Sequence, residues 1–231
     1  MTVDQLVEDT REVTEYLKSR FGQNKIYLLG HSWGSYLGVK TIEKYPENYL
    51  AYIGIGQVSN QKESERLAYQ YILSRAKQMN DKDVIEKLEK YDPYADDFPQ
   101  LDYLVKGRTA ILNKYGIGHL HQGVTSWDIL KSLFVFKGYT VTEKINWFLG
   151  ADFSMIHLFP GLLEDDLFLS SVKFEVPFYI TQGTHDYMVS QVLAEKYAEA
   201  CEAPRSLFYL RIRLILRIWK NRKSLLRLCA E

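Results

Sequence analysis

Apolar residues at the start of the chain recur with the period of an α-helix, at Val3, Leu6, Val7, Val13, Leu17 and Phe21. Thr2 and Gln5 have the spacing of a capping box, which satisfies free N–H groups at a helix start. Gly22 follows the last apolar position, and glycine is the usual residue just past a helix end. The chain is therefore predicted to open with an amphipathic helix that ends at residue 21.

Short apolar runs then predict strands. The patterns of residues 26–29 and 50–56 each predict a strand buried on both faces of a sheet. A helix is predicted between them, which extends to Tyr45 and is ended by Pro46. A third strand is predicted at residues 176–181, followed by a helix at residues 190–200. This alternation of strands and helices is typical of an α/β fold with a mostly parallel sheet.

The long segment between the second and third strands has a helical pattern. Breaks are expected at Asp92, Gly116, Gly138 and Pro160, where proline or glycine interrupts the period. The sequence thus predicts an α/β core at residues 1–58, a helical cap insertion at 59–170 and a continuation of the core at 171–204. Residues 205–231 form an atypical basic tail, with eight basic side chains against one acidic.

Composition excludes several classes of protein. With 46% hydrophobic and 25% charged residues, the 231-residue chain resembles an average globular protein. Its net charge of +0 provides no overall field for nucleic acid or a membrane surface. The two cysteines, Cys201 and Cys229, do not form a disulfide framework, and no signal peptide or membrane span is apparent. A cytoplasmic protein is predicted, without metal or cofactor.

Residues 30–34, Gly-His-Ser-Trp-Gly, match the G-x-S-x-G motif. In a nucleophile elbow this motif forms a tight turn between a strand and a helix and exposes the serine hydroxyl above the sheet. A predicted strand precedes the motif and a predicted helix follows it, as an elbow requires. The alternative is an ordinary glycine-rich turn between a strand and a helix.

The segments KIYLLGHSWGS, YPENYLAYIGIGQ and QGTHDYMV resemble α/β-hydrolases of the proline-iminopeptidase-like group, over residues 1–204. The resemblance implies that Ser32 attacks an acyl carbon and that the Trp33 N–H donates to the oxyanion. It implies that Asp186 is the acid of the triad, although an Asp in this position also suits a turn. His31 and His185 are assigned to structure rather than to catalysis.

The chain departs from that family at both ends. Triad order in this fold is Ser, Asp or Glu, then His, yet all five histidines precede Asp186: His31, His119, His121, His157 and His185. One helix and no strand are predicted before the elbow strand, so the family's early strands and oxyanion loop are expected to be absent from this chain. The tail has three interpretations: replaced sequence without function, a basic helix that binds a partner, or a genuine catalytic element. Residues 206–210 suit the last strand of the sheet, which argues against the helix.

Two functions from different classes follow. The first is a capped serine hydrolase, aminopeptidase-like or esterase-like, that acts through Ser32 on a small molecule or short peptide and is impaired in this chain. The second is a non-catalytic α/β-hydrolase remnant that binds a small ligand under the cap. Neither nucleic acid nor membrane is an expected partner, and self-association is expected from unpaired strands. His119 and His121 lack the neighbouring ligands of a metal site.

Overall fold

Parallel strands that alternate with helices form the centre of the computed structural model, which describes residues 1–115, 126–184, 186–204 and 208–212. The described strands are β1 (Ile26–His31), β2 (Tyr49–Ile55), β3 (Phe178–Gly183) and β4 (Phe208–Ile212). They are hydrogen-bonded in the order β1-β2-β3-β4, and every pair is parallel. The predicted α/β class with a parallel sheet is confirmed.

Among the described residues, α2 (Trp33–Lys44) and α9 (Gln191–Ala200) pack against this sheet, and α1 (Val3–Phe21) packs against α2. Helix α1 has its predicted bounds, because Thr2 Oγ1 accepts from the Gln5 N–H and Gly22 adopts φ 62°. The reciprocal half of the capping box does not form, since the Gln5 side chain donates to Asp9 Oδ1. The hydroxyls of Thr14 and Tyr49 lie 2.9 Å apart and join α1 to β2.

The described segment between β2 and β3 is helical. Its elements are α3 (Gln61–Gln78), α4 (Lys82–Leu88), a π-helical turn (Tyr103–Arg108), α5 (Thr109–Lys114), α6 (Ser126–Val135), α7 (Val141–Glu164) and α8 (Leu167–Ser170). These helices have a hydrophobic cluster of their own, which includes Tyr69, Ile72 and Tyr103. A second cluster, which includes Tyr52, Phe178 and Tyr197, lies around the sheet.

The end of α7 is tied to α2 through Asp165. Its carboxylate accepts from Lys40 Nζ at 2.8 Å, from Tyr36 Oη at 2.9 Å and from Ser170 Oγ at 2.7 Å. Burial alone raises the pKa of Asp165, but the bonds from Lys40, Ser170 and Tyr36 outweigh burial and lower the pKa on balance. This contact fixes the helical segment to the core at the point where the chain returns to the sheet.

Two sequence predictions are wrong. Pro160 does not break a helix but lies inside α7, where the buried side chains of Leu158 and Leu162 hold the helix in place on both sides of it. Strand β1 is not buried on both faces, since Tyr27 is 52% and Leu29 37% exposed. The exposed side chains alternate along the strand and therefore share one face of β1, which the described elements leave uncovered. Strand β1 also lies at the end of the described sheet and has a neighbour on one side.

The composition changes at residue 205, but the fold continues beyond it. Residues 208–212 form β4, which pairs with β3 from Tyr179↔Phe208 to Gly183↔Ile212. The rest of the predicted basic tail lies outside the described residues, as does Cys229. No helix in the described part of the chain combines the length and apolar composition that a bilayer span requires.

Candidate active site

Ser32 occupies a sharp turn between β1 and α2. Its backbone has φ 54° and ψ −122°, a region that residues other than glycine rarely adopt. Two hydrogen bonds hold this conformation: the Ser32 N–H donates to the Ile55 carbonyl at 2.9 Å, and the Ser35 N–H donates to the Ser32 carbonyl at 2.8 Å. A strained residue held in this way by its surroundings is characteristic of a functional position.

The two glycines of the motif have different roles. A Cβ on Gly30 would lie 2.3 Å from the carbonyl oxygen of Gly34, so β1 and α2 approach too closely there for a side chain. A Cβ on Gly34 would have no atom within 4 Å. The steric requirement of the turn therefore falls on Gly30.

Ser35 stabilises the Ser32 turn through hydrogen bonds. This residue was not identified from the sequence. Its buried Oγ donates to the Ser32 carbonyl at 2.6 Å and accepts from the Val58 N–H at 2.9 Å. The Tyr52 hydroxyl donates to the Ser35 carbonyl at 2.8 Å. The only signal in the sequence is that Ser35 lies one turn of helix after Ser32; the link to β2 depends on tertiary structure.

Asp186 lies on the loop after β3. Its Oδ1 accepts from the N–H groups of Met188 at 2.9 Å and Val189 at 3.0 Å, and Gln182 Nε2 lies 3.4 Å from Oδ2. Burial raises the pKa of Asp186, while the Val189 and Met188 N–H groups and Arg108 oppose that rise. The loop thus holds one carboxylate oxygen and directs the other toward Gln182.

The structure brings Ser32 and Asp186 to the same edge of the sheet. His31 pairs with Ile55, and Ile55 pairs with Thr181. Since the strands are parallel, the residues that follow β1 and β3 emerge beyond the same carboxyl edge, with β2 between them.

A cavity of about 530 Å³ opens at this edge beside Ser32 and Trp33. Helix α7 covers it with Ser154 and Leu158, among other residues. Met188 also lines the cavity and belongs to the loop after β3 that carries Asp186, called the acid loop below. Asp186 itself does not line the cavity. The lining is largely apolar, as in most small-molecule sites.

A buried ion pair forms part of the polar wall of this cavity. Arg108, which lines the cavity, lies 3.1 Å from the carboxylate of Glu65, and the two side chains are 8% and 0% exposed. Gln61 Nε2 donates to the same Glu65 oxygen at 2.8 Å. Burial raises the pKa of Glu65, and Arg108 and Gln61 partly offset that rise. No sequence signal marks this pair, because its members come from separate helical segments.

The histidines do not complete a triad within the described residues. His31 precedes Ser32 and is exposed, and His157 lies on the exposed face of α7 with its Nδ1 2.7 Å from the Phe153 carbonyl. Neither lines the cavity. His119, His121 and His185 lie outside the described residues.

These features define a class of protein: a parallel α/β sheet with a strained serine at a strand-to-helix turn, an acid loop at the same edge and a helix over the cavity between them. The sequence model of the alpha/beta hydrolase fold family matches residues 6–212, which includes β4. The chain belongs to the α/β-hydrolase family, and the resemblance noted from its sequence is confirmed.

Individual relatives agree with this assignment. The chain is 30% identical over 212 residues to the probable aminopeptidase YbaC of Bacillus subtilis (strain 168), a match that covers 90% of this chain and 65% of that protein. A proline iminopeptidase-related protein from Thermus thermophilus superposes with a TM-score of 0.58 at 17% identity, over 91% of this chain and 63% of that one. A Bacillus megaterium epoxide hydrolase gives 0.51 at 18% identity, over 99% and 74%. The chain thus spans less than two thirds of the length of the first two relatives.

Proposed function

We propose that this chain carries the nucleophile and acid of a serine hydrolase, with Ser32 as the residue that forms an acyl-enzyme. The observation that supports this most strongly is the strained backbone of Ser32 beside a cavity of about 530 Å³. The turn directs the serine out of the sheet, where its hydroxyl is available to an acyl carbon. Asp186 serves as the acid, and the Trp33 N–H, at the start of α2, donates to the oxyanion.

The proposed substrates are small peptide-like or ester compounds. The largely apolar cavity suits the side chain of an acyl group, and its size suits a small ligand. The similarity to a probable aminopeptidase favours a free amino end on the substrate. In this proposal the helices between β2 and β3 form a cap that excludes water from the acyl group. The chain works in a reducing, cytoplasmic setting, without nucleic acid or membrane as partner.

We expect low turnover from the 231-residue chain. Asp186 acts through a histidine in this mechanism, and the sequence contains no histidine from Asp186 to Glu231. Loss of the function of a triad residue reduces kcat by about 10⁴ to 10⁶. In this proposal Ser32 is the nucleophile, and no histidine of the described residues lines the cavity beside it to act as general base.

Chemical rescue tests this proposal. The chain is incubated with a fluorophosphonate probe at increasing imidazole concentration, and the modified serine is identified by peptide mass spectrometry. Imidazole in the place of the missing base is expected to accelerate labelling of Ser32 by at least about tenfold. Ser32→Ala abolishes the adduct, Asp186→Ala weakens the rescue, and Ser74→Ala, which removes an exposed serine of α3, leaves both unchanged.

The second candidate function is non-catalytic binding of a small ligand under the cap, which the largely apolar cavity supports, since no histidine is among the described residues that line it. It predicts no Ser32 adduct at any imidazole concentration, together with a rise in melting temperature when small apolar acids or amides occupy the cavity. Rescue of labelling at Ser32 would rule it out. Failure of rescue in a folded chain would refute the hydrolase proposal.

A further inference from the structure

Two buried glutamines lie between the Ser32 turn and the Asp186 loop and have no part in the proposed chemistry. Gln57 follows β2, Gln182 lies within β3, and each is 0% exposed. Burial of an amide costs free energy unless its donors and acceptors find partners. The partners of these two side chains therefore indicate what their burial achieves.

The Gln182 amide extends from the end of β2 to the Asp186 loop. Its Oε1 accepts from the Gln57 N–H at 2.9 Å, and its Nε2 donates to the Val189 carbonyl at 3.0 Å and toward Asp186 Oδ2 at 3.4 Å. The Gln57 N–H requires an acceptor and the Val189 carbonyl requires a donor. The Gln182 amide satisfies both only with Oε1 toward Gln57 and Nε2 toward Val189. That orientation directs the Gln182 N–H groups at the acid loop.

Gln57 continues the connection toward Ser32. Its Nε2 donates to the Val58 carbonyl at 2.7 Å. Its Oε1 lies 2.9 Å from the Tyr52 hydroxyl, whose single proton is shared between this oxygen and the Ser35 carbonyl. The Val58 N–H donates to Ser35 Oγ at 2.9 Å, and Ser35 Oγ donates to the Ser32 carbonyl at 2.6 Å. A path of hydrogen bonds, joined through the backbone of Gln57 and Val58, therefore passes the end of β2 from the nucleophile turn to the acid loop.

The other groups that act on Asp186 come from different directions. The N–H groups of Met188 and Val189 hold Oδ1 from within the loop. Arg108 is the charged side chain that influences Asp186 from the helical segment, and it is itself paired with Glu65. Gln182 is the neutral donor from the sheet side, and among the described contacts it is the one that reaches Oδ2.

We propose that Gln182 is a positioning residue, which fixes Oδ2 of Asp186 relative to the turn that carries Ser32. The contact between Gln182 and Asp186 exists whatever the function of the chain. Its effect on the reaction rate rests on the proposed function, because the position of Asp186 affects the rate only when a base lies between Ser32 and Asp186. Displacement of a reacting group by about 1 Å costs up to about 10² in rate. A side chain that merely fills the core would have no effect on the Asp186 carboxyl.

Two variants separate positioning from packing. Gln182→Glu keeps the acceptor for the Gln57 N–H and places a second carboxylate against Asp186, so the apparent pKa of the Asp186 carboxyl is expected to rise by at least about one unit. Gln182→Met removes the donor without adding charge and is expected to produce a smaller rise. The matched control is Gln70→Glu, which adds the same charge at an exposed position of α3. The readout is a titration of the ¹³C-labelled aspartate carboxyls by NMR.

The unmodified chain provides a measurement that needs no variant. In protein labelled with ¹⁵N-glutamine, the side-chain amide of Gln182 is expected to shift with the same apparent pKa as the Asp186 carboxyl. An amide resonance that does not change through that titration would overturn the proposal. So would a folded Gln182→Met chain in which Asp186 titrates as in the unmodified protein.

The labelling assay keeps this inference separate from the proposed function. If imidazole rescues labelling of Ser32, Gln182→Met is expected to lower the rescued rate by about tenfold to a hundredfold, and an unchanged rate in the folded variant would refute the positioning role. If imidazole does not rescue labelling, the hydrolase proposal fails. The titrations then still decide whether Gln182 holds the Asp186 carboxylate.

Discussion

The contrast between the two glycines of the motif leads to a sharp prediction about stability. Gly30→Ala places a Cβ 2.3 Å from the Gly34 carbonyl oxygen and 2.8 Å from the Gly34 carbonyl carbon and the Ser35 Cα. Ordinary contact begins at 3.4 Å, so the overlap is about 1 Å. All three neighbours are backbone atoms, and no rotation of a side chain relieves the overlap.

The expected cost follows from what must move. Strand β1 and the first turn of α2 have to separate, while Gly30 is paired with Gly54 in β2 and the Ser32 N–H is bonded to Ile55. Overpacking of this kind costs about 1 to 3 kcal/mol and more where the backbone cannot relax, so we expect Gly30→Ala to lower the free energy of unfolding by about 2 to 4 kcal/mol.

Gly34→Ala is the matched control. The position is open and lies in the first turn of α2, where alanine favours the helix and restricts the unfolded chain. We expect no loss of stability, or a gain of up to about 1 kcal/mol. Urea unfolding of both variants, followed by circular dichroism, measures the difference at constant m-value. Equal destabilisation by the two substitutions, or a Gly30→Ala chain within about 0.5 kcal/mol of the original, would refute the steric argument.

Three further predictions concern other contacts. The pKa of Asp165 is lowered on folding, so its contribution to stability is present above its ordinary pKa and is lost as the pH falls through the lowered pKa. Asp165→Asn or Lys40→Met should therefore cost about 1 kcal/mol near pH 7 in urea titrations, and the cost of Asp165→Asn should shrink as the pH is lowered below the ordinary pKa of an aspartate. Tyr27→Lys with Leu29→Lys should reduce self-association of the edge strand in sedimentation experiments; an unchanged oligomer would exclude β1 as the contact. Tyr52→Phe should lower stability by about 1 to 2 kcal/mol, and an unchanged denaturation midpoint would show that its hydroxyl bonds contribute nothing net.

The sequence predicted the elements whose signals are local. Helix α1 has its N-cap and its terminal glycine within one short segment, and both agree with the structure. Its apolar period is buried only in part, since Val13 and Phe21 are exposed. The turn at Ser32 was also predicted from a local signal, since the short Gly-His-Ser-Trp-Gly motif between an apolar strand and a helix leaves the backbone few alternatives. The alternation of strands and helices predicted a parallel sheet, and parallel strands bring the loops that follow β1 and β3 to one edge, where Ser32 and Asp186 lie.

Local signals failed where a neighbour in space decides the outcome. Pro160 removes one helical hydrogen bond, but the burial of Leu158 and Leu162 keeps α7 continuous. The apolar pattern of β1 does not reveal whether a further strand lies beside it, and in the described sheet one side is open.

The supports of the candidate site were invisible in the sequence for the same reason. Gln57 and Gln182 are 125 positions apart, and Glu65 pairs with Arg108 from another segment of the chain. A glutamine in a strand or a glutamate in a helix is ordinarily solvated, so neither residue type indicates burial. The chain's local chemistry determined which serine and which aspartate face one edge of the sheet. Only the tertiary structure decided which buried amides and charges hold them there, because those hydrogen bonds form between segments that the sequence separates.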